Sequence, residues 1–568
     1  MFRLALLLVS FCGYFALLFS CKKGKAVALY PAITVSAITA AGFLAGLVHQ
    51  LKAAYLLILG VGILLAAFYL FAAVFLPSYK ARLFPAFTLK AVFPLLLFAA
   101  GACLLYLYIG NDRFFYAYDD FSHWGRVANV ISVNQRLPVL ADGLIFTSYP
   151  VGSALFIAFC SNLLGYSADA YLFAQALMLL AFYISLLAAT NRRLLQLIIF
   201  SAFVLFMQYN ISLENLCVDN LLSAAAVSGI VMCFSIEKKQ LRSFLPELGT
   251  ILAALTLMKN SGFFLALIIA GYAAFLYRLD LRNRKELLST LCLLLPVLML
   301  LLWRVHTKIT FPVDGKHTLS LSYYKRILSE NRFDGMKTIF QIICPMLFTP
   351  KTNHVLLLIP GFALAFLLLR KSENFDRIKS VFLFSACLFV IYEIGVLLMY
   401  LASMNTTEVL YQNGQDYYRY NGTLVAVLVA VLVYLMCQLS FSLPFGGAVK
   451  KNAVLLASCA IMIFSSVFVL SQRYYPIQSP EEHGSDYISS GKMMRIAREH
   501  AFPEGSSFIV LYDVSDTAGY HEFMTTYYLN TWDIVYCYDL ETAEAEHAAN
   551  PHKYYIDLNT SSVYLPAV

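Results

Sequence analysis

Residues 91–109 read AVFPLLLFAAGACLLYLYI, and shortly after them residues 116–125 read YAYDDFSHWG. The first stretch is apolar over about the 20 residues an α-helix needs to cross a bilayer core. The second sets two adjacent carboxylates, Asp119 and Asp120, just beyond that crossing. Charge is costly at a membrane boundary and concentrates there where function requires it. The pair therefore points to chemistry at one face of a membrane.

The rest of the chain agrees with that setting. Of 568 residues, 60% are hydrophobic and only 13% are charged, with a mean hydropathy of +0.71. Soluble domains carry about 25% charged residues. Runs such as 53–76 and 381–401 are also long enough to span, so the chain reads as an all-α polytopic membrane protein. A β-barrel would instead alternate apolar and polar residues over strands of about 10 residues. The formal charge of +8 comes from basic residues in short loops and gives no case for nucleic acid. No Cys-x-x-Cys occurs, and Cys12, Cys103, Cys160, Cys233 and Cys292 lie in apolar runs as small hydrophobes. Residues 1–20 match a signal peptide in length, but the lysines Lys22, Lys23 and Lys25 come after the apolar part. That order predicts a retained first helix.

About 14 spanning helices are expected, near 4–20, 27–48, 53–76, 91–109, 170–189, 194–209, 218–235, 247–258, 261–277, 287–303, 353–369, 380–402, 421–440 and 452–472. Basic clusters at Lys22/Lys23/Lys25, Lys80/Arg82/Lys90, Arg192/Arg193, Lys238/Lys239/Arg242, Arg278/Arg282/Arg284/Lys285, Arg370/Lys371/Arg377/Lys379 and Lys450/Lys451 fall in alternate loops. By the positive-inside rule these loops are cytoplasmic. The segment 149–164 is apolar enough to span, but counting it would reverse every later loop. It is read as a helix lying at or dipping into the outer interface, inside a long external loop 110–169. The same parity puts 210–217, 304–353 and 405–418 outside. Three regions result: N-terminal helices over 1–90, a transmembrane core over 91–472 and an external α/β domain over 473–568. In the last, strands are expected at 507–512 and 533–536, and a helix near 521–529.

The loop 111–149 collects Asp112, Asp119, Asp120, His123, Trp124, Arg126 and Asp142. A carboxylate can take a proton from a hydroxyl, and its neighbour can orient it or hold a divalent cation such as Mg or Mn. Trp124, with Tyr116 and Tyr118, suits a sugar-stacking surface or an interface belt. A second reading makes 119–122 simply the capped start of a helix.

These residues suggest a family. The run Asp119-Asp120-Phe121-Ser122-His123-Trp124-Gly125, succeeded by Ser148-Tyr149-Pro150-Val151-Gly152, resembles the acidic external loop and Tyr-Pro helix of bacterial membrane glycosyltransferases of the GT-C superfamily. Glu214 to Leu221 is similar to the acidic element of the second external loop. Lys259-Asn260-Ser261-Gly262 is similar to a Lys-x-x-Gly turn between two helices. The likeness covers about residues 91–440.

The resemblance implies a GT-C-like bundle that transfers a hexosyl or pentosyl group, with inversion, from a polyprenyl-phosphate carrier. The acceptor would be a cell-envelope glycan, lipid or protein on the outer face of the plasma membrane. Asp119 or Asp120 would then be the base, with the two equal on every sequence criterion, and a cation, if one is used, would sit on the pair. His123, Trp124, Glu214 and Asp219 would contact substrate. Lys259 and Arg419 would face the carrier phosphate, with Lys259 alternatively a snorkelling lysine and Arg419 a helix anchor. Glu393, in the middle of an apolar run, reads as a structural hydrogen-bond partner. The chain has no glycine-rich phosphate loop, which argues against nucleotide-driven chemistry. A cell-envelope polysaccharide polymerase or ligase, a polytopic transporter and a scaffold are the alternatives.

Overall fold

The computed structural model describes residues 1–76, 88–110, 113–209, 213–237, 242–277, 289–312, 321–370, 375–414, 416–442, 484–500, 505–512 and 519–566, with single positions 240, 372, 502 and 503 between them. Among the described residues, eight helices are long and apolar enough to cross a membrane: Phe2–Lys22, Val27–Leu47, Leu51–Phe75, Leu89–Ile109, Ala168–Ala189, Ser289–Thr310, Phe375–Ser403 and Asp416–Gln438. Shorter apolar helices account for the expected spans near 194–209, 218–235, 261–277 and 353–369, and a helix at Leu245–Met258 for the one near 247–258. The span expected at 452–472 lies outside the described residues, as does Asp112.

In chain order the helices are α1 (Phe2–Lys22), α2 (Tyr30–Leu47), α3 (Leu51–Phe75), α4 (Leu89–Ile109), α5 (Gly125–Asn134), α6 (Gly152–Leu164), α7 (Ala168–Tyr183), α8 (Arg193–Tyr209) and α9 (Asp219–Ser235). They continue with α10 (Leu245–Met258), α11 (Asn260–Tyr277), α12 (Leu295–Thr310), α13 (Leu321–Phe348), α14 (Ile359–Leu369), α15 (Phe375–Ser403), α16 (Thr406–Gln412) and α17 (Asp416–Ser442). Helices α7, α9 and α10 are buried on nearly every side and form the centre. By contrast α3 exposes Leu56, Leu57, Leu64, Leu70 and Phe75, an outward apolar face suited to lipid.

Small residues set the closest crossing. Gly13 of α1 sits against α3, where an added Cβ would collide with the Gly62 carbonyl oxygen. The Tyr14 hydroxyl donates to the Ile58 carbonyl at 2.6 Å beside it. Such small-residue contacts let helix backbones approach where no hydrophobic drive exists in lipid. Gly13→Leu should separate the two helices, cost about 3 kcal/mol and lower the thermal midpoint of the purified protein by several degrees. An unchanged midpoint would show that the crossing does not matter.

Two segments gain detail beyond the sequence reading. The 149–164 segment does form a helix, α6, and other helices cover most of its length. Residues Gly152 to Ser161 are buried, and the Leu155 carbonyl accepts from Tyr55 of α3 at 2.6 Å. Its apolar surface is consumed by neighbouring helices, which hydropathy does not distinguish from a surface facing lipid. The connection 304–353 is largely helical. Arg304 and His306 fall within α12, and most of the remainder is the 28-residue α13, whose charged residues masked it from a hydropathy reading.

The C-terminal unit has helices α18 (Gly484–His500), α19 (Tyr520–Leu529) and α20 (Leu540–Ala549), and strands β1 (Phe508–Leu511), β2 (Ile534–Cys537), β3 (Tyr554–Asp557) and β4 (Ser562–Tyr564). The sheet order is β2-β1-β3-β4. β1 is parallel to β2 and β3, while β4 is antiparallel to β3. The sequence anticipated β1, β2 and α19 but not β3 and β4, which are short and carry polar residues.

Candidate active site

The acidic motif sits on a widened turn. Asp120–Trp124 forms one π-helical turn that runs into α5. Gly125 donates its amide to the Asp120 carbonyl at the turn's end. A Cβ there would lie 2.7 Å from that carbonyl oxygen and 2.8 Å from the Phe115 ring, so glycine is required for the close approach. Wide turns of this kind recur at functional sites because they redirect side chains. Here the turn sends Asp119 and Asp120 in different directions.

Asp119 keeps a third of its side chain exposed and meets Arg419 at 3.2 Å. The Cys217 thiol donates to the same oxygen, Oδ2, at 3.3 Å. Both contacts use that one oxygen, and no partner for Oδ1 occurs among the described residues. The Arg419 Nη2 also meets Asp219 Oδ2 at 3.1 Å. The other Asp219 oxygen holds the Lys259 ammonium at 2.8 Å. Asp219 opens α9, Arg419 lies in the first turn of α17, and Lys259 lies in the extended break between α10 and α11. Four side chains from four distant segments thus join in one line: Asp119, Arg419, Asp219, Lys259.

Lys259 owes its place to a sharp helical hairpin. The Gly262 amide donates to the Lys259 carbonyl at 2.8 Å. Any Cβ on Gly262 would strike the Leu255 carbonyl oxygen, so only glycine lets α11 fold back on α10. The Lys259 ammonium also lies 5.6 Å from the Tyr420 ring centroid.

Asp120 turns inward and is fully buried. Its Oδ1 accepts the Leu216 amide at 2.7 Å, and its Oδ2 has no partner among the described residues. Burial pushes its carboxyl well above the usual carboxylate range, with the Asp119 charge adding to the rise and the Leu216 hydrogen bond opposing it. His123 is 4% exposed, and neither ring nitrogen has a partner among the described residues. Phe146 and Tyr149 meet its ring edge-on. Burial lowers its pKa to about 3, with the Lys259 charge contributing. Trp124 stacks on Tyr149 at 5.8 Å. His123 and Trp124 therefore back the Tyr149 wall. Glu214 stands to one side, accepting from Tyr116 at 2.7 Å with Arg113 at 3.6 Å. Glu393 accepts from Asn353, Tyr417 and Asn421, the structural cluster its position suggested.

The donor set does not suit a resident divalent cation. Asp119 and Asp120 face different partners, and a cation on Asp119 would sit against Arg419. No group of three or more His, Cys, Asp or Glu able to hold a metal occurs among the described residues.

Lys259 and Tyr149 line one end of a cavity of about 420 Å³. Phe264 of α11, Val396 and Met399 of α15, and Tyr420 of α17 supply its mostly apolar walls. On the other side the C-terminal unit covers the acidic loop. The Phe121 ring is held among Tyr520, Tyr527 and Tyr528 at 5.5 to 5.7 Å. Tyr520 donates to the Tyr116 carbonyl at 2.9 Å and Tyr528 to the Phe115 carbonyl at 3.1 Å. The contributions of Cys217 and of this aromatic clamp had no signal in the sequence, because both depend on pairings across distant segments.

No family model matches the chain, and no curated protein matches it. Among solved structures the chain is similar to ArnT from Cupriavidus metallidurans. For the crystal structure bound to undecaprenyl phosphate the identity is 12%, with 83% of this chain and 90% of that chain covered and a TM-score of 0.45. For the apo crystal structure the identity is 12%, the coverage 82% and 89%, and the TM-score 0.39.

Proposed function

We propose that this chain is a GT-C-like membrane glycosyltransferase that moves a sugar from a polyprenyl-phosphate donor to a hydroxyl acceptor of the cell envelope. One observation carries the reading: a carboxylate with one free oxygen stands in line with two cations, and one of these cations lines a mostly apolar cavity. That arrangement suits a substrate with a charged phosphate head and an apolar tail. The basic loops at the opposite ends of the helices favour the outer face of the plasma membrane for this site.

In the proposed step the Asp119 Oδ1 takes the acceptor's hydroxyl proton. The hydroxyl oxygen attacks the anomeric carbon as the bond to the phosphate oxygen breaks. The electron pair leaves with the phosphate, and Lys259 and Arg419 meet the charge. Attack from the side opposite the leaving group inverts the anomeric centre. Here the two cationic side chains stand where other phosphate-handling sites place a divalent ion. Asp120 acts through the backbone: by holding the Leu216 amide it fixes the loop that carries Cys217. Of the alternatives, a transporter gains little from a carboxylate held by one oxygen in line with two cations.

The test is transfer in detergent micelles from a synthetic polyprenyl-phosphate sugar, scored by release of polyprenyl phosphate. Lys259→Gln should raise the donor KM about tenfold or more while the protein inserts normally, since one charge-assisted phosphate contact contributes about 1.5–3 kcal/mol. An unchanged donor KM would remove Lys259 from the donor site. Absence of transfer with every lipid-linked donor, alongside substrate uptake in vesicles, would favour the transporter.

A further inference from the structure

A second, polar cavity of about 460 Å³ lies at the opposite end of the bundle, lined by Lys25, Lys90, Thr190, Gln196 and Glu237 among others. Helix α9 connects the two ends. It begins at Asp219 in the acidic cluster and ends at Ser235 on this cavity's wall, a helix of 17 residues and about 25 Å along its axis.

Two lysines, Lys25 and Lys90, line the cavity, with Asn191 and Gln240 beside them. Lys22 is already committed to Glu247 at 2.6 Å. Lys25 and Lys90 have no carboxylate partner among the described residues, and both line the cavity. The first residues of α4 and of the helical turn Val27–Leu29 also reach the wall. Thr88, also in the lining, caps the start of α4 by accepting the Ala91 amide.

The opposing carbonyls are masked. Gln196, 5% exposed, donates its amide to the Leu187 and Thr190 carbonyls at 3.2 and 2.9 Å, so these helix-end oxygens are occupied. The acidic group in the lining is Glu237, which accepts from Gln240 at 3.1 Å. A roomy polar cavity with two ammonium groups that have no carboxylate partner among the described residues, and with covered carbonyls, is matched to a phosphate.

We infer that this cavity binds a phosphate group, carried by the headgroup of an anionic phospholipid or present as the free anion. The site is independent of the outer-end chemistry. In the lipid case it would seat the N-terminal helices against α4 and α9 at the basic face of the membrane, which gives those helices a task outside the catalytic cluster.

The experiment uses the purified full chain in maltoside micelles. Its thermal midpoint is followed during titration with phosphatidylglycerol, with phosphatidylcholine of the same acyl chains, and with inorganic phosphate. A saturable rise with phosphatidylglycerol and none with phosphatidylcholine assigns the lipid headgroup, whereas a rise with inorganic phosphate alone assigns the free anion. The double variant K25Q/K90Q should bind about thirtyfold more weakly, five- to sixfold per lysine. Glu237→Gln should bind more tightly, because it removes the repelling charge. Both variants alter exposed side chains and should keep the wild-type transfer rate. The inference is overturned if neither anion gives a saturable rise, or if the response is the same in wild type and K25Q/K90Q.

Discussion

Asp119→Asn is expected to lower kcat by about 10³-fold with little change in the donor KM, whereas Asp120→Asn leaves kcat within about tenfold of wild type. The two residues are adjacent and chemically identical, so the contrast comes from surroundings alone. Asp119 has an oxygen free to accept a proton and keeps contact with solvent. Removing a positioned base typically costs 10² to 10⁴. Asp120 is fully buried, and its Oδ1 is spent on the Leu216 amide.

Asparagine at position 120 retains an oxygen for that amide. It also removes a cost that grows with pH. The folded-state carboxyl of Asp120 is raised above its unfolded value by burial. Its contribution is therefore fully present below the usual carboxylate range and is lost as pH rises through the folded value. Asp120→Asn should then be at least as stable as wild type at neutral pH. The measurements are initial rates of lipid-linked sugar transfer and thermal midpoints for both variants. Equal rate losses in well-folded Asp119→Asn and Asp120→Asn would sink the assignment of Asp119 as the base.

The second large effect concerns acid stability. His123 carries a pKa of about 3 in the folded protein against 6.5 ordinarily, because its ring is buried with no partner among the described residues and faces the Lys259 charge. A depressed folded value means that stability is complete above the unfolded value and is lost as pH falls toward the folded one. The loss attributable to His123 is about 2 kcal/mol at pH 5 and approaches about 5 kcal/mol near pH 3. His123→Phe keeps an aromatic ring among Trp124, Phe146 and Tyr149 and cannot be protonated. Thermal midpoints of the two proteins should converge at pH 7.5 and separate progressively below pH 6.5, with the variant higher. Parallel curves down to pH 4 would show that His123 stays neutral for no energetic cost.

Much of the architecture was legible because hydropathy and helix length are local properties. Thirteen of the expected helical segments, the hairpin at Lys259 and the two leading strands arise from runs and breaks that neighbouring residues define. The paired-carboxylate motif, Lys259, Asp219 and Arg419 were also visible as charges that an apolar chain does not carry without cause. The buried course of α6 was not legible, since an apolar helix looks the same facing lipid or facing protein. Helix α13 was hidden by its charges.

The sequence by itself determined that the chain is a bundle of membrane-length helices and that its scarce ionisable residues gather at particular helix ends. Composition and periodicity suffice for that, because they act within one segment. Only the tertiary structure decided what each charge does. It separated Asp119 from Asp120 by turning one toward Arg419 and Cys217 and the other into the protein. It joined Asp219 of α9 to Lys259 and Arg419, which lie 40 and 200 residues further along the chain. The physical reason is that the energy of a charge depends on its dielectric surroundings and on partners within a few ångströms. Those are set by packing between distant segments.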